Sequence, residues 1–272
     1  MKKLLGMIVS VVLMIGTGAA AAESKGGVNA YNYTEYADSA TVKKNLEAQG
    51  FEVLASYAPT KQSETLVITC PGLKKAASKP DRGFAAVMRV LVDGEHKRIA
   101  YTNPLYFAKA FLQDDYDDAI AKKAAGKLAA ALGEGTPSAD KVDDDDLADY
   151  RFMLGMPHYE DMEELAEGDN AALLKKLEAY NGGKNVVFTL DLGKSTLVGF
   201  DLSDETKKFV EKIGTQNAEV LPYMMLIEDG KAKTLAAKYY LAISYPLLSM
   251  GEFMTIASVP GDILDELELP FN

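Results

Sequence analysis

Beyond an apolar block at its start, the chain alternates between two patterns. Short apolar runs bounded by Gly, Pro and Asp give way to stretches in which apolar residues recur every three to four positions. The first pattern predicts strands and the second predicts helices. A Tyr-rich strand is expected over 28–36, then a helix opened by Asp38 or Ser39 and closed by Gly50. Two strands follow, "FEVLASYA" and "LVITC", then a short helix over 73–79. A hairpin turning at Asp93-Gly94 leads to a last helix that starts at Pro104, where a missing N–H costs nothing.

The same order then recurs. Shifted by 131 residues, Leu46-Glu47-Ala48 falls on Leu177-Glu178-Ala179, and Thr65-Leu66-Val67 falls on Thr196-Leu197-Val198. "VMRVLVDG" meets "YMMLIEDG", and "NPLYFAKAFL" meets "YPLLSMGEFM". Four matches in one order point to a duplication, and the period is too long for a solenoid. The second copy is expected to hold a Met-rich strand over 151–159 and a helix opened by Asp169 or Asn170. Strands "NVVFTLDL" and "LVGFDL", a short helix over 204–213, a hairpin at Asp229-Gly230 and a helix from Pro246 complete it. The fold class is therefore α+β, with two homologous β-α-β-β-(α)-β-β-α units. Strands 87–92 and 223–228 are apolar on both faces, so each needs a cover beyond its own helices. Sheet-to-sheet packing with pseudo-twofold symmetry would supply it.

The expected boundaries are a first repeat over 23–113 and a second over 151–272. Between them, 114–150 holds an Ala/Lys-rich helix and an acidic linker. The runs "QDDYDD" and "DKVDDDD" read as solvated surface, since neither has the Gly and terminal Glu spacing of a calcium loop.

These segments resemble the family called domain of unknown function 302. "LVITCPGLKKA" is similar to that family's strand ending in a Cys/Pro turn, and "EVLPYMMLIEDGK" to its Leu-Pro followed by an exposed hairpin. The copies depart from the pattern in complementary ways. Ala85-Ala86 stands where Leu-Pro is expected, and Phe200-Asp201-Leu202 replaces the Cys70-Pro71 turn. The resemblance implies a TATA-binding-protein-like sheet, often paired into dimers, and no established activity or catalytic residue.

Charge and composition narrow the rest. Met1-Lys2-Lys3, an apolar run and small residues up to Ala22 have the form of a signal peptide over 1–22. The run is too short to span a membrane, and no other segment approaches a span. The expected location is outside the cytoplasm, in a bacterial periplasm. Loss of Lys2 and Lys3 moves the net charge from −11 to −13, which disfavours nucleic acid and anionic lipid as partners. A single cysteine, Cys70, excludes an internal disulfide and Cys-rich metal sites.

Candidate chemistry is sparse. Cys70 ends a strand before Pro71, a position where a thiolate could be activated, but the bland reading is a small buried hydrophobe. His96 reads as an exposed hairpin residue. His158 stands among Met153, Met156 and Met162, and thioethers with an imidazole suit Cu(I), although Met more often fills a core. The leading functional expectation is an exported non-enzymatic protein, monomeric, without a cofactor. It would bind a small, partly apolar ligand or a protein partner in the cleft between the repeats, walled by Tyr31, Tyr101 and Tyr223. The alternatives are a copper-handling protein using Met156, His158 and Met162, with no metal site firmly assigned, and, last, a Cys-dependent enzyme.

Overall fold

The computed structural model describes residues 26–272, so the expected signal peptide lies outside the described residues. The first unit runs β1 (Tyr31–Glu35), α1 (Ser39–Ala48), β2 (Glu52–Thr60), β3 (Ser63–Thr69), α2 (Pro71–Ala77), β4 (Met88–Asp93), β5 (Arg98–Thr102) and α3 (Pro104–Leu112). Next come α4 (Asp118–Leu132) and the two-residue strand β6 (Thr136–Pro137). The second unit runs β7 (Glu163–Glu167), α5 (Asn170–Ala179), β8 (Val186–Asp191), β9 (Ser195–Phe200), α6 (Asp204–Lys207) and α7 (Phe209–Ile213). It continues through β10 (Tyr223–Glu228), β11 (Lys231–Thr234) and α8 (Ala237–Ser244), and α9 (Met250–Thr255) and α10 (Val259–Glu268) close the chain. The fold is α+β, built on two antiparallel sheets.

Local chemistry accounts for the element ends. Asp38 caps α1 by accepting from the Thr41 N–H at 3.0 Å, and Asp169 caps α5 by accepting from the Ala171 N–H at 3.0 Å. At Asp229 and Gly230, φ values of 49° and 76° give the mirror-image turn that suits a two-residue hairpin. Asp93 folds the longer β4–β5 loop by accepting from the N–H groups of Glu95 and His96.

The first sheet has the order β2-β3-β4-β5-β1-β6 and the second has β8-β9-β10-β11-β7. Apart from β6, the two orders are the same. Register refines the sequence correspondence, because Ser63 pairs with Asp93 as Ser195 pairs with Glu228. Thr65 thereby matches Leu197 rather than Thr196.

Three expectations are corrected. Residues 151–159 form no strand, because Gly155 takes a φ of 85° and Pro157 has no N–H to donate. The first strand of the second unit is β7 instead. No helix starts at Pro246, since the counterpart of α3 is α8, which begins at Ala237 and ends at Ser244. The segment expected as a free acidic linker is fastened along β1. There Ser138 donates its N–H to Tyr31, and buried Asp140 accepts from the Ala30 N–H at 2.7 Å.

One continuous apolar core runs through both units. The single turn Gly83–Ala86 of the first unit packs over β9 and β10, while the turn Thr215–Val220 of the second packs over β2, β3 and β4. The two-sided apolar strands are therefore covered by exchanged turns rather than by bare sheet on sheet. The third residue of α3, Tyr106, donates its hydroxyl to the Ile243 carbonyl at 3.0 Å. The third residue of α8, Tyr239, donates back to the Ala110 carbonyl at 3.5 Å. Ala110 and Ile243 are each the seventh residue of their helix.

Candidate functional site

The three tyrosines singled out in the sequence line no common pocket. Tyr31 is buried in the core, its ring 5.6 Å from that of Phe107. Tyr101 points to the far edge of the first sheet, where its hydroxyl donates to the carbonyls of Gly133 and Glu134, both at 3.0 Å. Tyr223 lies on β10, its ring edge-on to Tyr240 at 5.2 Å and its hydroxyl donating to Leu235 at 3.0 Å. Burial holds the Tyr31 and Tyr223 hydroxyls well above the usual phenol range, so neither ionises near neutral pH.

The cleft between the units, about 780 Å³, has a charged lining and none of these tyrosines. Lys61 and Glu95 face Lys207, Glu211 and Thr215 across it. Thr215 donates its hydroxyl to Glu95 at 2.8 Å, and the Tyr57 hydroxyl donates to Asp201 at 2.6 Å, tying the two sides together.

A second cavity of about 740 Å³ differs in character and lies wholly within the second half of the chain. Its walls come from loop 151–163, from the β11–α8 connection and from the start of α10. Met156, Pro157, Met162, Tyr223, Leu235 and Leu264 give it an apolar surface, and Arg151, His158, Lys238, Asp161 and Glu163 give it polar groups. The three copper candidates thus share this groove with Tyr223, although they sit on a loop and not a strand.

Aromatic anchors shape the loop. Tyr159 is buried, donates its hydroxyl to the Asp81 carbonyl of the first unit at 2.6 Å, and stacks on Phe111 at 5.7 Å. Beside Tyr159, His158 donates its backbone N–H to Asp161 at 2.9 Å, and its ring Nε2 lies 3.3 Å from Nη1 of Arg151. The imidazole edge that a metal would need therefore faces a guanidinium. Among the described residues no group of three or more His, Cys, Asp and Glu side chains could hold a metal ion.

Cys70 is buried at the start of α2. His96 is held by Asp93 through Nδ1 at 2.8 Å, at the other end of the paired strands β3 and β4. Five residues of strand separate those ends, roughly 17 Å, too far for His96 to serve as a base.

Sequence reasoning missed Arg151, Lys238 and Leu264, which come from segments more than a hundred residues apart at the extremes. It also missed Glu219, buried in the turn that covers β4, with one carboxylate oxygen that has no hydrogen-bond partner. Burial pushes its carboxyl up to about 8, against the opposing pull of Arg98 and Arg89.

No family model, curated protein or solved structure matches this chain.

Proposed function

We propose that this chain is an exported binding protein that takes a small, partly apolar ligand in the groove walled by loop 151–163, Leu235 and α10. The observation that carries the reading is the groove's make-up. Its volume of about 740 Å³ falls in the range of small-molecule sites, with a Met/Leu/Tyr wall and a few convergent polar groups. The site moves from the inter-unit cleft, lined mainly by Lys and Glu side chains, to a groove where Met, Leu and Tyr side chains stand beside the charged ones. Titration with 1-anilinonaphthalene-8-sulfonate, a small aromatic anion, tests it. Saturable 1:1 binding is expected, lost in Met162→Arg and kept in Lys61→Glu at the other cleft. Equal binding by all three proteins would sink the reading.

A copper-handling role is the second reading, favoured by one fact: Met156, His158 and Met162 line the same groove. Metal binding there would require Arg151 to leave His158. An anaerobic Cu(I) titration decides it, since a real site loses its tight binding in His158→Ala.

The two units are further proposed to be copies of one fold related by a pseudo-twofold axis. The shared strand order, the exchanged turns and the reciprocal Tyr106–Ile243 and Tyr239–Ala110 bonds support it. Export to the periplasm rests on the pattern of residues 1–22.

A further inference from the structure

We propose that the pocket between α5 and the β8–β9 hairpin, separate from the ligand groove, binds a neutral polyhydroxylated ligand with the chemistry of a single sugar ring. The pocket measures about 380 Å³, at the lower end of the range for small-molecule sites. Asn170, Thr189, Asp191, Lys194, Ser195 and Thr196 give it polar groups, and Leu174 gives it an apolar surface.

The same positions build a pocket of about 370 Å³ in the first unit. Asn170 is the first residue of α5 as Ser39 is of α1, and Ser195 opens β9 as Ser63 opens β3. Thr189 pairs with Val198, three residues after Ser195, and Ser56 pairs with Leu66, three residues after Ser63. All six residues line their pockets. Around them the hairpins differ, "TKQSE" against "LGKST". Each of the three positions nevertheless holds a hydroxyl or an amide in both units, groups that donate as well as accept.

The second pocket also holds a hydroxyl that the fold does not use. In the first unit Ser63 is satisfied by Thr60, their side-chain oxygens 2.6 Å apart. In the second, Leu192 takes the place opposite Ser195, giving its N–H to the Ser195 carbonyl at 2.9 Å and offering no hydroxyl. Ser195 is 3% exposed, and its Oγ has no hydrogen-bond partner among the described residues. A buried hydroxyl without a partner costs stability, and a ligand hydroxyl can supply the missing bond.

Charge argues for a neutral ligand. The pocket has one lysine, Lys194, and one carboxylate, Asp191, which formally cancel. The start of α5 does not call for an anion either, because Asp169 already accepts from the Ala171 and Ala172 N–H groups. Hydroxyls and amides together match partners that both donate and accept, as sugar hydroxyls do, while Leu174 faces the ring carbons.

The test follows the backbone amides of the full mature chain by nitrogen–proton correlation NMR. Methyl glycosides of glucose, galactose, mannose and N-acetylglucosamine are added one at a time, with inorganic phosphate as an anionic arm. At least one glycoside should shift the amides of residues 193–196 saturably, and phosphate should not. Ser195→Ala should weaken that binding about threefold or more, as loss of one hydrogen bond predicts. The same variant should resist urea at least as well as wild type, because the deleted hydroxyl has no partner in the fold. Thr189→Val, at an exposed position of β8, gives a second variant at the same pocket. No saturable shift with any glycoside, equal affinity in wild type and both variants, or a response to phosphate alone overturns the proposal.

Discussion

Glu219 carries the clearest energetic consequence of a single residue in this molecule. Its carboxyl sits in the turn that the second unit lays over β4, near Arg89 and Arg98 but bonded to neither. Folding raises its pKa from the ordinary carboxylate range to about 8 because burial disfavours the charged form. Below that ordinary range both states hold the proton, and Glu219 contributes no pH dependence. As pH climbs from about 4.5 towards 8, the unfolded chain releases the proton while the folded chain keeps it. Stability therefore falls across this window at about 1.4 kcal/mol per pH unit, for at most about 5 kcal/mol. Glu219→Gln should be more stable than wild type at pH 8 and should lose most of that advantage at pH 5. Urea denaturation at the two pH values measures it, and a pH-independent difference would remove Glu219 as the source. None of this was visible in "TQNAEV", where Glu219 reads as one more surface acid. Met156, His158 and Met162 stand out in the sequence by their side-chain chemistry, and they line one groove. Tyr31 and Tyr101 are harder to assign from sequence, since a tyrosine serves a core as readily as a ligand wall.

Elements were read best where turn and cap chemistry is local. Asp38, Asp169, Pro104 and the Asp229-Gly230 turn all act where the sequence placed them. The misreadings came where an apolar run was ambiguous. In "RFMLGMPHY" the apolar side chains serve as anchors for a loop: Phe152 on Phe253 and Tyr159 on Phe111 and Tyr239. In "YPLLSMGEFM" a chance likeness to the α3 sequence concealed that α8 had already ended. The exchanged turns could not be foreseen, because their partners lie in the other unit. The turn at Gly83 tests their importance. A Cβ there would sit 2.3 Å from Cδ1 of buried Leu226 on β10, so the close approach requires glycine. Gly83→Ala should cost about 1–3 kcal/mol through overpacking. Thermal unfolding should remain a single transition at lower temperature, since the turn belongs to one unit and its seat to the other. A loss confined to one of two separate transitions would show that the turn does not couple them.

At the scale of the whole molecule, two sheets of the same strand order share one core, and the chain between them is pinned along β1 rather than left free. A cleft lined by charged side chains lies between the units, and the groove with the Met/Leu/Tyr wall lies in the second half of the chain. Helix α10, which packs on α8 and α6 much as α4 packs on α3 and α2, builds the groove together with loop 151–163. Binding is accordingly assigned to this groove of the second unit and not to the cleft between the units. Native mass spectrometry of protein purified without denaturation from its native host puts this assignment to the most direct test. The account predicts one small-molecule adduct per chain on the wild type, absent from Met162→Arg and from Leu264→Arg prepared in the same way. An adduct retained by both groove variants, or a wild-type protein that carries none even after incubation with extract of that host, would contradict it.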